Sequence, residues 1–125
     1  LCDRLAICGP QNRVEYQAVL HTADLVVSTA HHDFFGVAIS EAIASGARPV
    51  LPRRLAYPEL VPSQLHSELL YEGSLEDALR PRLALDRSAL HTHRGATQEH
   101  VAAFDWLNVA PRYDSFIDEM ISSFR

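Results

Sequence analysis

Basic residues, cysteines and long apolar runs are all scarce in this chain of 125 residues. Lys and Arg total 11 against 16 Asp and Glu, a net charge of -5, which argues against the chain holding a nucleic-acid backbone by itself. No apolar run reaches the roughly 20 residues of a membrane-spanning helix, so we expect no membrane partner. Cys2 and Cys8 would lie roughly 20 Å apart on an extended chain and could not pair directly. They indicate buried or free thiols in a reducing cytoplasm, and hence a cytoplasmic protein.

Hydrophobic residues are abundant by contrast. They make up 47% of the chain, which is typical of a globular protein with a real core. We therefore expect residues 1–125 to form a single domain. No signal peptide is visible, but the chain opens on Leu1 rather than on Met, so we expect it to be a piece of a longer protein.

Short apolar runs alternate with helical patterns along the whole chain. Strands are predicted over residues 5–8, 24–28, 48–51 and 68–71. Helices are predicted over 14–22 after Asn12, from Gly36 to Gly46, after Ser74, over 86–104, and over 109–123 with Pro111 opening the last. Such alternation predicts an α/β fold, a Rossmann-like parallel sheet with helices on both faces. Ligands bind such sheets at the carboxyl ends of the strands.

The loop that follows the second predicted strand is the longest and most polar of those ends. Asp33 lies in this loop, Gly36 opens the next helix, and Glu41 lies inside that helix. Free N–H groups and partial positive charge at a helix N-terminus suit a phosphate, and a carboxylate can hold hydroxyls. A diphosphate combined with hydroxyls describes a nucleotide-sugar.

Two pairs of histidines, one in this loop and one near the chain's later helices, raise the alternative of a metal site. His31 and His32 are adjacent and would point apart in extended structure, with no third ligand at a useful spacing. His91 and His93 are more typical of a surface helix. We therefore predict no metal site and no required cofactor.

The loop and helix resemble a known signature. Asp33-x7-Glu41, with Phe35-Gly36 before the helix, resembles the E-x7-E motif of retaining GT-B glycosyltransferases. The segment Ala44-Ser45-Gly46-Ala47-Arg48-Pro49-Val50 is similar to their AxxGxPV segment. The strings STAHHDFFGVAISEA and RLAYPEL, together with Phe104-Asp105-Trp106, are similar to the tRNA-queuosine mannosyltransferase branch.

The resemblance runs from about Gly9 to Trp106. It implies the later part of a C-terminal, donor-binding GT-B domain, whose N-terminal partner domain is missing from this sequence. The implied reaction transfers mannose from GDP-mannose to queuosine in a tRNA. Contact with the tRNA would fall mainly to the missing domain. Because that domain and the first strands of the donor-binding domain would both be absent, we expect the isolated chain to be inactive.

The resemblance also implies roles for individual residues. Glu41 would hold the donor ribose, and Asp33 would contact the transferred sugar, although the family normally has Glu at this position. The N–H groups around Phe35, Gly36 and Val37 would receive the diphosphate.

Further residues would surround the donor. His32 would orient the sugar or the loop, Thr29 belongs to the donor-binding loop, and the turn of Gly9 and Pro10 would lie beside the base. Glu59 would either approach the donor or cap a helical turn.

Simpler interpretations stand beside these roles. Gly36 could only permit a tight turn, Asp33 could only cap the helix, and Glu41 could be a solvated acid. Arg53 and Arg54 could meet phosphate or acceptor, or simply face solvent. Trp106 is predicted to pack in the core.

Two other functions remain open at this point. One is a GT-B transferase that acts on a lipid or a polysaccharide. The other is a non-catalytic Rossmann-like module that contacts a partner protein.

Overall fold

A computed structural model describes residues 5–124 of the chain. Seven helices and three strands occur in this part. The strands are β1 (Leu25–Val27), β2 (Arg48–Pro52) and β3 (Leu70–Tyr71). The helices are α1 (Arg13–Thr22), α2 (Val37–Ser45), α3 (His66–Leu69), α4 (Leu75–Leu83), α5 (Arg87–Leu90), α6 (Arg94–Ala102) and α7 (Trp106–Ser123). Two short 3-10 helices, Tyr57–Glu59 and Ser63–Leu65, follow β2.

The three strands form one parallel sheet in the order β1-β2-β3. Leu25 pairs with Arg48 at the start of β2, and Leu51 pairs with Leu70. Helix α2 connects β1 to β2 and packs against both, and α6 packs on α2. The prediction of an α/β, Rossmann-like fold is confirmed as a parallel sheet flanked by helices.

Helix α2 contributes three buried residues to the core. Ile39, Ala42 and Ile43 are its buried residues, as its apolar spacing predicts. Gly46 ends the helix in the left-handed region, with φ 103°, where its N–H bonds Ile43 O at 2.9 Å. The core cluster consists of Ile39, Ile43, Leu51, Tyr57, Leu60, Val61, Leu65, Leu69, Leu70 and Val101.

The first predicted strand is wrong. Residues 5–8 have no regular structure and are exposed, because no strand in the described part of the chain lies beside them to complete a ladder. Cys8 is accordingly a free, exposed thiol, while Cys2 lies outside the described residues. The strand predicted over 68–71 shrinks to Leu70–Tyr71, because helix α3 occupies the preceding residues.

The last two predicted helices have different limits. The stretch 86–104 is broken into α5 and α6, because Asp86 caps the first and the chain turns at 91–93 before the second. Helix α7 begins at Trp106 because Asp105 accepts a hydrogen bond from the Leu107 N–H at 2.9 Å, which leaves Pro111 inside the helix. Trp106 is 69% exposed, so the prediction that it packs in the core is wrong.

None of the helices between residues 5 and 124 has the length and apolar character needed to cross a membrane.

Candidate functional site

Asp33, in the loop between β1 and α2, is held by both carboxylate oxygens. Its Oδ1 accepts a hydrogen bond from the Gly36 N–H at 2.7 Å, and its Oδ2 accepts one from the Tyr57 hydroxyl at 3.0 Å. The first bond is made to the N–H of Gly36, which is itself the N-cap residue of α2 and has no side-chain cap hydrogen bond. Asp33 therefore does not occupy the cap position, and each of its oxygens keeps a lone pair that can accept a ligand hydroxyl.

Tyr57 reaches Asp33 from the 3-10 helix beyond β2. Its side chain is fully buried, and its hydroxyl also lies 2.7 Å from the Ser28 Oγ at the end of β1. Burial raises the pKa of Tyr57, the Ser28 hydroxyl lowers it in part, and the Asp33 carboxylate raises it again. The phenol therefore stays protonated and remains a donor at neutral pH.

Two further residues, Tyr71 and Arg54, tie this loop to the carboxyl edge of the sheet, the edge at which all three strands end. The Tyr71 hydroxyl, on β3, donates to Ser28 O at 2.9 Å. Arg54, which follows β2, donates to Ala30 O at 3.1 Å and to Thr29 O at 3.4 Å. Arg54 thus holds the loop backbone, whereas Arg53 forms an ion pair with Glu72 at 3.0 Å.

Gly36 is required by the turn itself. It has φ 79°, a left-handed conformation, and a Cβ built there would lie 3.0 Å from Leu60 Cδ1 and 3.3 Å from Tyr57 Cε1. A side chain would therefore point into the core. The conformation exposes Phe35 and Val37 on either side of the buried Gly36, at the start of α2. The first-turn N–H groups that follow Gly36 have no intrahelical partners and face the same end of the helix.

Glu41 lies one turn further into α2 and is exposed. Its Oε2 accepts a hydrogen bond from the Tyr16 hydroxyl of α1 at 2.7 Å. This hydrogen bond is the main reason that the pKa of Tyr16 is raised, with burial and the Glu41 charge adding to it.

Glu41 lines two shallow grooves. One, between α1 and α2, also contains Gln11, Arg13 and Tyr16, and has a volume of about 530 Å³. The other, of about 380 Å³, runs between α2 and α6 and contains Phe35 and Val37. Of the residues predicted to bind the donor, Phe35, Val37 and Glu41 are therefore brought together in the second groove.

The remaining predicted residues lie further out. Thr29 and His32 are exposed on the β1–α2 loop, and Gly9 and Pro10 are exposed before α1, next to the groove residue Gln11. The Glu59 side chain is exposed, and its backbone carbonyl accepts a hydrogen bond from His100 Nε2 at 2.8 Å. In the described residues 5–124 no group of three or more His, Cys, Asp or Glu side chains is arranged to hold a metal ion.

The hydroxyl groups that hold the two acids were not predicted from the sequence. Tyr16 donates to Glu41 and Tyr57 donates to Asp33, while the Ser28 hydroxyl bonds that of Tyr57 and the Tyr71 hydroxyl donates to the Ser28 carbonyl. The available signal was a polar Ser28 at the end of a strand expected to be buried, which requires a partner for its hydroxyl.

The chain thus combines an α/β fold with two carboxylates around a helix N-terminus at the carboxyl edge of its sheet. A tRNA-queuosine alpha-mannosyltransferase of Drosophila melanogaster is 45% identical over 64 residues, which are 51% of this chain and 17% of that protein. A GDP-mannose:cellobiosyl-diphosphopolyprenol alpha-mannosyltransferase of Xanthomonas oryzae is 27% identical over 95% of this chain and 31% of that protein. A D-inositol 3-phosphate glycosyltransferase of Corynebacterium glutamicum is 27% identical over 96% of this chain and 29% of that protein.

These relatives are all glycosyltransferases, so the resemblance to glycosyltransferases predicted from the sequence is confirmed. The chain spans less than a third of the length of each of these relatives. No family model matches the chain, and no solved structure matches it.

Proposed function

We propose that this chain binds the nucleotide-sugar donor of a retaining glycosyltransferase. The observation that carries the proposal is the pair of carboxylates around the start of α2, with Asp33 in the loop before it and Glu41 exposed in the groove beyond it. Helix N–H groups between two hydroxyl-binding acids match the chemical parts of a sugar nucleotide, which are a diphosphate between a sugar and a ribose.

In the proposed mechanism, the N-terminus of α2 stabilises the negative charge that develops on the leaving diphosphate. Cleavage of the bond between sugar and phosphate builds charge on the leaving diphosphate, and N–H donors already aimed at that position stabilise the transition state. The N–H groups around Phe35 and Val37 would receive the diphosphate, Glu41 would hold the ribose hydroxyls, and Asp33 would contact the transferred sugar. His32 would orient the sugar, and no metal would be required.

For the substrates we propose GDP-mannose as donor and queuosine in tRNA as acceptor. Two of the relatives are mannosyltransferases by name, and the one named for tRNA-queuosine is 45% identical to this chain over 64 residues. A tRNA acceptor would imply a cytoplasmic protein. Because the relatives are much longer than this chain, we propose that a further GT-B domain supplies the acceptor contacts.

Titration calorimetry of the chain with GDP, UDP and ADP tests donor binding. We expect GDP to bind with preference and Glu41→Ala to weaken it by about tenfold or more, the value of one charged hydrogen bond. Glu99→Ala, which removes an exposed glutamate on α6, is the matched control and should leave affinity unchanged.

Each other result has a definite meaning. A preference for UDP or ADP would keep the transferase but discard GDP-mannose. Affinity for GDP that ignores Glu41→Ala would favour a non-catalytic module, and the absence of binding to all three nucleotides would contradict donor binding.

A second acceptor class has a specific observation in its favour. The Xanthomonas relative, named for a diphosphopolyprenol acceptor, aligns over 95% of the chain rather than half of it. Transfer of labelled mannose to tRNA containing queuosine or to a polyprenol-linked sugar, by the protein that carries this chain, separates the two acceptors.

A further inference from the structure

We propose that Tyr57 is a positioning residue, whose buried phenol aims the Asp33 carboxylate at the transferred sugar of the donor. This inference rests on the proposed function. It adds a residue that makes no contact with the donor itself, since Tyr57 has no exposed surface.

The hydrogen bonds around Tyr57 have a single possible direction. A carboxylate only accepts, so the one hydrogen of the Tyr57 phenol goes to Asp33 Oδ2. The Ser28 hydroxyl must then donate to the Tyr57 oxygen, while its own oxygen accepts the Ala30 N–H at 3.1 Å. The result is a directed chain from Ala30 through Ser28 and Tyr57 to Asp33, in which each bond polarises the next.

Two donors from different elements determine the orientation of the carboxylate. The Gly36 N–H holds Oδ1 from the start of α2, and the Tyr57 phenol holds Oδ2 from the 3-10 helix beyond β2. With only the Gly36 bond, the carboxylate could rotate about its Cβ–Cγ bond. A contact to a sugar hydroxyl depends on that angle, because acceptor lone pairs are directional.

The other acid has a tyrosine of its own, which supplies a matched comparison. Tyr16 donates to Glu41 at 2.7 Å but is only partly buried, and Glu41 is proposed to hold the ribose rather than the sugar. The two tyrosines should therefore influence different parts of the same ligand.

Titration calorimetry with GDP and with GDP-mannose separates these parts. We expect Tyr57→Phe to weaken GDP-mannose by about tenfold while GDP changes by less than about twofold. Tyr16→Phe, the matched control, should weaken both ligands by the same factor.

A second variant keeps the test valid if Tyr57→Phe does not fold, which thermal melting reveals. Ser28→Ala leaves the Tyr57 phenol on Asp33 but removes the bond that polarises it. We expect a smaller loss of about threefold, again confined to GDP-mannose.

Two results would overturn the inference while leaving donor binding intact. These are an unchanged ratio of the GDP and GDP-mannose affinities in Tyr57→Phe, and an equal loss for both ligands, which is what a purely structural role would produce. A wild-type chain that binds neither ligand would instead overturn the proposed function, and this inference with it.

Discussion

The two edges of the sheet are held by different kinds of polar contact. At the carboxyl edge, the buried hydroxyls of Ser28 and Tyr57 lead to one carboxylate, Asp33, and the Tyr71 hydroxyl donates to the Ser28 backbone carbonyl. Hydroxyls carry no charge at neutral pH, so they can be buried once their hydrogen bonds are complete.

At the amino edge, charged and histidine side chains fasten the helices to the strands. Asp24, just before β1, accepts hydrogen bonds from Arg87 Nε at 3.0 Å and His91 Nε2 at 3.1 Å. Glu68, in α3, pairs with Arg48 at 3.4 Å and with His93 at 2.9 Å. The Arg48 side chain is only 9% exposed, whereas that of Glu68 is 48% exposed.

This difference predicts that the stability of the amino edge depends more strongly on salt than that of the carboxyl edge. Exposed ion pairs weaken with salt, whereas hydrogen bonds between buried hydroxyls are screened much less. The candidate donor site lies on the edge where buried hydroxyls hold Asp33, with the exposed ion pair of Arg53 and Glu72 beside it.

Gly36→Ala should be the most damaging single change at the carboxyl edge. The left-handed φ of 79° and the 3.0 Å approach of Leu60 Cδ1 together predict a loss of about 3 kcal/mol in the free energy of unfolding. Denaturant unfolding measures this loss.

Gly73→Ala isolates the packing part of that loss. Gly73 has nearly the same φ, 81°, but a Cβ there would meet nothing within 4 Å. We expect a loss of about 1 kcal/mol from backbone conformation alone. Equal losses in the two variants would show that packing against Leu60 is unimportant.

Glu68→Gln tests the amino edge and its dependence on salt. Removing the charge beside the nearly buried Arg48 should lower the free energy of unfolding by about 1 kcal/mol at low salt. The effect should shrink in 1 M NaCl, where the Debye length is only about 3 Å.

Ser28→Ala is the partner experiment at the carboxyl edge. It should also lower the free energy of unfolding by about 1 kcal/mol, because it removes a buried hydrogen bond. This loss should be the same in low and high salt. A Glu68→Gln effect that is equally constant would contradict the contrast between the edges.

Asp24→Asn tests the response of the amino edge to acid and has the smallest expected effect. Burial alone would raise the pKa of Asp24, but the hydrogen bonds and charges of Arg87 and His91 outweigh it, so the pKa is lowered. The stabilisation is therefore present above the ordinary Asp pKa of about 3.9 and is lost as the pH falls through the lower, folded-state value.

Thermal melting between pH 6 and about pH 3 measures this loss. The wild type should lose more stability over the interval than Asp24→Asn does. Asp114→Asn, which changes an exposed acid on α7, should follow the wild type. Parallel curves for the wild type and Asp24→Asn would show that the acid contributes nothing.

Several local features were predictable because their signals act within a few residues. Asn12 forms a capping box with Glu15, Ser74 accepts the Asp77 N–H, and Gly46 ends α2 where expected. The loop of Asp33 and the helix that contains Glu41 were predictable for the same reason. The relatives confirm only the class of protein, and the residue roles stay predictions.

The wrong predictions concern residues whose structure or burial depends on neighbours that are distant in the sequence. Residues 5–8 have the composition of a strand, but a strand forms only beside another. Trp106 is a large apolar residue of the kind that packs in cores, but in α7 it is exposed. Composition cannot indicate whether a partner surface is present.

The helix caps of α1 and α4, the α/β order and the positions of the two acids along the chain follow from the order of the residues alone. Caps and turns need only neighbours within about four residues, and such neighbours are fixed by the order of the chain. Which hydroxyl holds which acid depends instead on the packing of distant elements. Tyr57 is 24 residues from Asp33 and Tyr16 is 25 residues from Glu41, so each pair meets only after the sheet and helices have packed.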